Sequence, residues 1–375
     1  MAETAIQWTG YSWNPWRGCS KVAEGCRFCY AEKNVGVKLH GVKWGTKNQG
    51  GTRVVAAESY WSDPAKWNRK AQKEGQRLKV FCASLADVFE DWTGDIVDHK
   101  GRTAWKDGIG HWYGERPSAT ARKVTLDNVR KRLFETIDNT PNLDWQLLTK
   151  RPENIRRMWE EVSDPVFNWN MNPVNVPDGH KGIEGGVNHL TYRNNVWLGT
   201  SIANQEDAEK NIPELLRCRD LASKLFLSIE PMIGPIDLTK MSNGMSDTEN
   251  EFINALTGDE YYGSVREGEN PVYSNHGAVD WVIVGGESGP NARPCNIEWI
   301  RSIVRQCKEA GVACFVKQLG ARPFMSGSGG ERFNWPCGFL VRNSETWLEL
   351  NDKKGGDWNE WPEDLKVREF PVEVS

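Results

Sequence analysis

Short apolar runs recur along the chain, and turn residues bound each of them. They lie at residues 78–84, 145–149, 196–200, 224–229, 281–284 and 313–317, and a shorter segment at 6–11 precedes them. Runs of this length and composition predict buried strands. Amphipathic helical patterns separate several of them, at residues 126–137, 153–161, 207–216 and 297–310. This alternation predicts an α/β fold with a parallel sheet of six or seven strands.

Four long polar insertions interrupt the alternation, at residues 38–51, 91–118, 163–195 and 242–278. Loops of this length in compact domains usually either carry a function or lack fixed structure. We therefore expect one α/β unit at 1–320, which contains the insertions, and a C-terminal extension at 321–375.

The second insertion mixes aromatic rings with positive charge. Its rings and cations are Trp92, His99, Lys100, Arg102, Trp105, Lys106, His111, Trp112, Tyr113 and Arg116. Such a mixture suits single-stranded or flipped-out nucleic acid, although a solvated loop held down by its rings has the same composition. The 19 tryptophans of the whole chain leave two similar alternatives open, a stacking surface for a base or sugar and the packing of long loops onto the body.

Cys19, Cys26 and Cys29 lie close together near the N-terminus, with the spacing C-x6-C-x2-C. Three thiols are one ligand short of a closed structural zinc site. An iron-sulfur cubane held by three thiolates, in contrast, leaves one iron free to bind a small molecule. The three cysteines therefore predict chemistry at a [4Fe-4S] cluster.

The aromatic residue Phe28 directly precedes Cys29, as in the cluster loop of the radical S-adenosylmethionine (SAM) superfamily, although the gap between Cys19 and Cys26 is three residues longer than usual there. Further blocks of sequence extend the likeness from about residue 8 to 320. They are Trp13-Asn-Pro-Trp-Arg-Gly-Cys19, Leu148-Thr-Lys-Arg-Pro152, Leu198-Gly-Thr-Ser201, Ser228-Ile-Glu-Pro231, Gly285-Gly-Glu-Ser-Gly-Pro290 and Lys317-Gln318. Together these blocks resemble a family of phage-encoded and prophage-encoded radical-SAM-like proteins.

The resemblance implies a partial (β/α)6 barrel over residues 1–320, a [4Fe-4S] cluster on the three cysteines, and SAM at the open iron with Phe28 beside its adenine. In such barrels the residues that follow the strands converge on the active site. Here those residues are Ser84, Asp87, Lys150, Arg151, Ser201 and Glu230.

The resemblance also suggests roles for these residues. We expect Ser84 and Asp87 to accept the SAM ammonium group, and Lys150 or Arg151 to pair with its carboxylate, Arg151 better because its guanidinium is bidentate. Ser201 and Glu230 are candidates for the ribose or the substrate. The segment 285–287 has the Gly-Gly-Glu sequence that commonly holds the SAM amino group, but it follows a late strand, so that role is not transferred to it.

Phage members of this family are linked to hypermodification of thymidine in viral DNA. The implied function is an isomerase that uses a 5'-deoxyadenosyl radical to rearrange a glycinyl-thymidine type base, with the effect of evading host restriction. Modified DNA would be its substrate, and a flavodoxin or ferredoxin its electron donor. A radical SAM enzyme with a different substrate is also compatible with the sequence.

Composition adds three limits to this picture. The net charge of -4 excludes a wholly basic nucleic-acid coat. No apolar run approaches membrane-spanning length and no signal pattern opens the chain, so we expect a cytoplasmic protein, in the host cell if it is phage-encoded. The other six cysteines show no paired spacing, which disfavours both a disulfide framework and a second cluster; they are Cys82, Cys218, Cys295, Cys307, Cys314 and Cys337.

Two alternatives remain. His40 could complete a Cys3His zinc site in a nucleic-acid-associated module. A catalytically silent barrel could use its cluster for redox sensing or partner docking.

Overall fold

The structure is a computed structural model, and it describes residues 4–33, 41–106, 112–113, 118–159, 190–242, 252–261, 272–326 and 337–372. Within these residues no helix is both long and apolar enough to span a lipid bilayer.

Seven parallel strands form the central sheet, which is curled into a half-barrel. We number them β1 (Tyr11–Ser12), β2 (Leu78–Cys82), β3 (Leu143–Thr149), β4 (Arg193–Ile202), β5 (Ala222–Ile229), β6 (Trp281–Gly285) and β7 (Ala313–Gln318). Their order in space is their order in sequence, and every neighbouring pair is parallel. The predicted α/β class and parallel sheet are confirmed.

In the described ranges, four long helices accompany the sheet: α1 (Asp63–Glu74), α2 (Leu126–Asp138), α3 (Gln205–Leu216) and α4 (Ile297–Ala310). Thr125 caps α2 with a reciprocal capping box to Asn128, and Gly311 ends α4 in the left-handed conformation, as such residues usually do. The apolar sides of the helices share one core with alternate strand residues.

The concave side of the sheet carries a second, smaller apolar layer. It consists of Trp8, Phe81, Trp197, Phe226, Trp281, Ile283 and Phe315. Gly199 on β4 lies under the Phe226 ring, which occupies the place that a Cβ atom would take. The half-barrel is therefore filled by side chains below its C-terminal edge.

Three predicted elements differ in the structure. The first strand, predicted at 6–11, is only the two residues Tyr11–Ser12. The predicted helix at 153–161 is a 3-10 turn, Pro152–Asn154, followed by a short helix, Ile155–Met158. It ends there because Trp159 is extended and its indole donates a hydrogen bond to Thr191 O at 2.6 Å. The insertion predicted at 163–195 is also too long, since its last three residues belong to β4, where Arg193 Nε pairs with Asp138 at 2.7 Å.

The insertions and the C-terminal segment carry small sheets of their own. Ile96–Val97 pairs with Arg53–Val55, which pairs with Trp16–Arg17, and Trp105–Lys106 pairs with Trp112–Tyr113 and Arg122–Lys123. An antiparallel sheet comprises Met241–Ser242, Phe252–Ile253, Asp259–Tyr261 and Val272–Asn275. Another sheet comprises Cys295–Asn296, Pro323–Ser326, Glu345–Glu349 and Gly338–Arg342. After it, Val316 of β7 donates a hydrogen bond to Val367 O at 2.9 Å, which ties the C-terminal segment to the barrel.

Candidate functional site

The cysteine loop, residues 13–30, leaves the C-terminal end of β1. Gly18 makes its first turn with φ +112, and a Cβ atom there would collide with Thr52 O. Cys26 ends a short 3-10 helix, Glu24–Cys26, and its carbonyl accepts a hydrogen bond from Cys29 N at 3.3 Å. The loop thus places its three cysteines at the C-terminal edge of the half-barrel, the edge at which the active sites of barrel enzymes are built.

The three loop cysteines differ in burial from most of the others. Each is partly exposed, whereas five of the remaining six are buried and only Cys337 is also partly exposed; the buried ones are Cys82, Cys218, Cys295, Cys307 and Cys314. Partly exposed free thiols can act as ligands, while buried ones usually serve as small apolar side chains.

Arg151 lies beside Cys19, with its Nη1 atom 3.8 Å from the sulfur. The same nitrogen donates to Asp87 Oδ2 at 2.7 Å, and Nη2 donates to Ser20 O at 2.9 Å and to Ser20 Oγ at 3.0 Å. Glu90 Oε1 lies 3.4 Å from Nη2 and accepts hydrogen bonds from Ser20 N and Oγ. The guanidinium is therefore held through both of its terminal nitrogens.

Two buried residues complete this network. Arg53 is fully buried and holds Glu90 through two hydrogen bonds of 2.5 and 2.6 Å. Asp87 accepts hydrogen bonds from Thr149 Oγ1, Phe89 N and Lys150 N at 2.6, 3.0 and 3.1 Å in addition to its pair with Arg151. The network joins the start of the cysteine loop to the segments that follow β2 and β3.

Burial and charge act in opposite directions on the thiols. Burial raises the pKa of Cys19, and the nearby carboxylates of Glu90 and Asp87 raise it further, while Arg151 lowers it. Burial likewise raises the pKa of Cys29, which Lys150 lowers. Each of these two thiols thus has one cation near it that favours the thiolate, the form in which cysteine binds metals.

We call the C-terminal edge of the half-barrel, next to the cysteine loop, the mouth. Near the middle of the cysteine loop it carries Lys150, Ser201 and Glu230. The Lys150 ammonium donates a short hydrogen bond to Ser201 Oγ, and Ser201 Oγ donates to Glu230 O at 3.3 Å. Gly25 packs against Lys150, close enough that a Cβ atom would lie 3.5 Å from Nζ. These contacts bring three predicted site residues against the loop.

Glu230 also faces the last strand of the sheet. Its Oε1 atom forms an ion pair with Lys317 Nζ at 2.9 Å. This buried oxygen accepts no hydrogen bond of good geometry from any described residue. Lys317 is 29% exposed and Glu230 is 13% exposed, so the pair is open to the mouth on one side.

Ser84 lies on the opposite side of the mouth. Its hydroxyl is 2.9 Å from Ser12 Oγ and accepts a hydrogen bond from Asn14 Nδ2 at 3.1 Å. Its carbonyl accepts a hydrogen bond from the Tyr30 hydroxyl at 3.1 Å, which connects it to the residue after Cys29.

Arg293 connects the cysteine loop to the turn after β6. It donates to both carboxylate oxygens of Glu287 at 2.9 Å, and its Nη1 donates to Glu24 O and Glu24 Oε1, each at 3.0 Å. Hydrogen bonds to Glu287 raise the pKa of Arg293. Its guanidinium lies 5.5 Å from the centroid of the Phe28 ring. Phe28 is therefore held from one side by a cation that is itself anchored.

The structure thus brings all ten predicted site residues to one edge of the sheet, around one loop. The contacts separate them into two sets. Asp87 and Arg151 are buried and bonded to each other, whereas Lys150 has no carboxylate partner among the described residues. Arg151 directly precedes the 3-10 helix Pro152–Asn154, but its side chain is buried and does not lie on the surface. The SAM-binding roles given to these residues stay predictions.

Sequence reasoning missed Arg53, Glu90 and Arg293. Glu90 ends the largely apolar run Leu85-Ala-Asp-Val-Phe-Glu90, and Arg53 begins the strand Arg53–Val55. A charged residue within an apolar run is the usual sign of a buried ion pair, so the signal was present. Arg293 follows Gly285-Gly-Glu287 by six residues and had no signal of its own.

The structure describes only some of the aromatic residues of the second insertion, residues 91–118. Trp92 is buried, and the Arg53 guanidinium lies 3.9 Å from its ring centroid, so it packs the loop onto the body. Trp105 and Lys106 are partly exposed and Lys100 is exposed. His40, His111 and Arg116, and the side chains of Trp112 and Tyr113, lie outside the described part of the chain.

The donor set fits an iron-sulfur cluster chemically, because thiolates are the ligands that such clusters use. Among the described residues, no three His, Cys, Asp or Glu side chains converge on one position that could hold a single metal ion. A cubane attaches each cysteine to a different iron, so it does not require such convergence.

Comparison with known proteins finds a match to the sequence model of one family. The sequence model of a family described as "Protein of unknown function (DUF5131)" matches residues 3–101 and 119–358. No curated protein and no solved structure matches the chain.

Proposed function

The chain belongs to the DUF5131 family, and we propose that it is a radical SAM enzyme. The observation that carries this proposal is the position of Cys19, Cys26 and Cys29: three partly exposed thiols on one loop, at the C-terminal end of the first strand of a parallel half-barrel. The fold also supports the proposal, because a curled parallel sheet of seven strands is compatible with the partial (β/α)6 barrel that the resemblance implies.

Cys19, Cys26 and Cys29 would hold a [4Fe-4S] cluster. With SAM bound, such a cluster supplies a 5'-deoxyadenosyl radical, which can abstract an unactivated hydrogen. The chain itself must bind SAM, keep its loop rigid and exclude water. The fixed network around Arg151 and the bridge through Arg293 serve the second of these tasks.

Lys150 is the better candidate for the SAM carboxylate. Among the described residues its ammonium has no carboxylate partner and donates to the Ser201 hydroxyl, so its charge is available to an anionic ligand, whereas Arg151 is already paired with Asp87. Ser84 and Glu230 lie on opposite sides of the mouth as polar groups for the ammonium, the ribose or the substrate.

We propose modified thymidine in DNA as the substrate and an isomerisation as the reaction, on the ground of the sequence resemblance. Lys100, Lys106 and Trp105 support this choice, because they are at least partly exposed and unite charge with a ring in one insertion. A flavodoxin or ferredoxin would supply the electron.

Anaerobic purification tests the cluster. We expect a brown protein with about four iron and four sulfide per chain, and a Cys26→Ser variant that lacks both. Cys337→Ser is the matched control, because Cys337 is also a partly exposed free thiol, and it should retain the colour. A colourless wild-type protein with one zinc would refute the proposal in favour of the zinc module.

Mass spectrometry of nucleosides tests the substrate. DNA with normal or glycinylated thymidine is incubated with the reduced enzyme and SAM, and the nucleosides are then compared. We expect a change only in the glycinylated DNA. Formation of 5'-deoxyadenosine with both DNAs unaltered would preserve the radical chemistry and reject DNA as the substrate.

A further inference from the structure

Arg151 has a position that binding of SAM does not explain. Its side chain is 8% exposed, and its two terminal nitrogens already contact Asp87, Ser20, Glu90 and the sulfur of Cys19. To reach a SAM carboxylate it would have to leave the buried Asp87 carboxylate without its cation, which is costly in a protein interior. The contact with Cys19 therefore needs its own explanation.

The charges around Cys19 balance without a ligand. Arg53 and Arg151 contribute two positive charges, and Asp87 and Glu90 contribute two negative ones. Arg53 is directed to Glu90, so Arg151 is the cation that points a donor at the sulfur. The network is neutral as a whole, and Arg151 is its member that donates a hydrogen bond to the sulfur, against the negative charge of Asp87 and Glu90.

A donor directed at a ligand sulfur changes the energy of reduction. Reduction by one electron adds negative charge to a cluster and its sulfurs, and a nearby N–H donor and positive charge stabilise the reduced form. The effect is larger where burial lowers the local dielectric constant. Burial and the Asp87 pair also keep this guanidinium in place in both oxidation states.

We infer that Arg151 is a positioning residue that raises the reduction potential of the cluster through its hydrogen bond to Cys19. This inference rests on the proposed cluster and gives Arg151 a task different from SAM binding. Asp87 opposes it, because the carboxylate draws the same Nη1 atom and partly cancels its charge.

The test is a redox titration of the cluster-loaded protein, followed by electron paramagnetic resonance. Arg151→Gln should lower the reduction equilibrium constant at least tenfold, which is about 59 mV for a one-electron couple. Arg151→Lys, which keeps the charge, should change it less. Asp87→Asn should shift the potential in the opposite direction, upward.

The matched control is Arg130→Gln. Arg130 is equally buried and binds Val88 O and Glu90 O in the same segment, but it does not contact Cys19. The cluster of the Arg130→Gln variant should have the same reduction potential as that of the wild type. An equal shift of the potential in Arg130→Gln and Arg151→Gln would overturn the inference.

Failure of the inference is distinguishable from failure of the proposed function. An unchanged potential in an iron-loaded Arg151→Gln variant overturns the role of Arg151 alone, whereas absence of iron and sulfide from the wild type overturns the cluster. If Arg151→Gln does not retain its cluster, the sign of the Asp87→Asn shift decides: an unchanged or lowered potential there overturns the inference.

Discussion

Arg293 donates two hydrogen bonds from a single nitrogen to Glu24, its partner 269 residues earlier in the sequence, each with a length of 3.0 Å. The contact joins the loop after β1 to the turn after β6, so it spans most of the width of the sheet. Since Arg293 is also held by Glu287, the cysteine loop is attached to a fixed point of the barrel and not to a mobile side chain.

Arg293→Gln should loosen the cysteine loop. The change leaves the buried Glu287 carboxylate without its cation, so we expect a loss of about 1–3 kcal/mol in the free energy of unfolding. We also expect faster loss of iron to a chelator, because the Glu24–Cys26 turn loses its anchor. Urea unfolding and the rate of iron release measure the two effects.

Arg301→Gln is the control for this change. Arg301 pairs with Glu298 and Asp364, which are about half exposed, so its loss should cost less than about 1 kcal/mol and leave iron release unchanged. Equal rates of iron release in both variants and the wild type would contradict an anchoring role for Arg293.

Gly18→Ala should disturb the start of the same loop. A methyl group there meets Thr52 O, and the backbone has a positive φ that side chains disfavour, so we expect a cost of more than about 2 kcal/mol. Gly311→Ala separates the two causes, because Gly311 also has a positive φ but nothing lies within 4 Å of its added methyl group. It should cost only about 1 kcal/mol. Thermal unfolding compares the two, and equal costs would mean that the contact with Thr52 is harmless.

Gly199→Ala should overpack the concave side of the barrel. The methyl group would enter the Phe226 ring, at a cost of about 1–3 kcal/mol. Phe226→Leu removes the ring atoms that the methyl group would overlap. The double variant should therefore lose at least about 0.5 kcal/mol less unfolding free energy than the two single variants together. Additive costs in a double-mutant cycle would show that the ring and the glycine are not coupled.

Glu230→Gln should impair ligand binding without releasing iron. Within the described part of the chain, Lys317 is the one cation paired with this carboxylate. A charge-assisted hydrogen bond from the carboxylate to a ligand contributes about 1.5–3 kcal/mol, so affinity for SAM or DNA should fall about tenfold or more. Equilibrium dialysis with each ligand measures this fall. Glu363→Gln is the control, since Glu363 forms a similar pair with Lys366 on the surface. Unchanged affinity for both ligands would remove Glu230 from the site.

The strands were predictable because six of them are runs of apolar residues that the sheet buries on both sides. The additional length of β4 was not, since Arg193 and Asn195 are polar. Arg193 is accepted there because Asp138 pairs with it and the Phe134 ring lies 4.6 Å away, and Asn195 donates to Ile137 O. These partners come from α2 and are visible only after folding.

The edge of the sheet that carries the site was also predictable, because polar residues follow the ends of several strands. It was not predictable which of those residues are buried in ion pairs and which face the mouth. Arg151 and Lys150 are neighbours in sequence, yet one is buried between Asp87 and Glu90 and the other faces the mouth. Local sequence carries no information on which of two adjacent cations the fold will surround with carboxylates.

The contact between Arg293 and Glu24 has a consequence for the order of events during protein synthesis. A ribosome adds roughly 5–20 residues per second, so the cysteine loop leaves it on the order of tens of seconds before its anchor. During that interval the three thiols are present but the loop lacks one of its two supports. For the cluster that we propose, delivery of iron and sulfide to the finished loop would therefore follow translation, once β6 has joined the sheet.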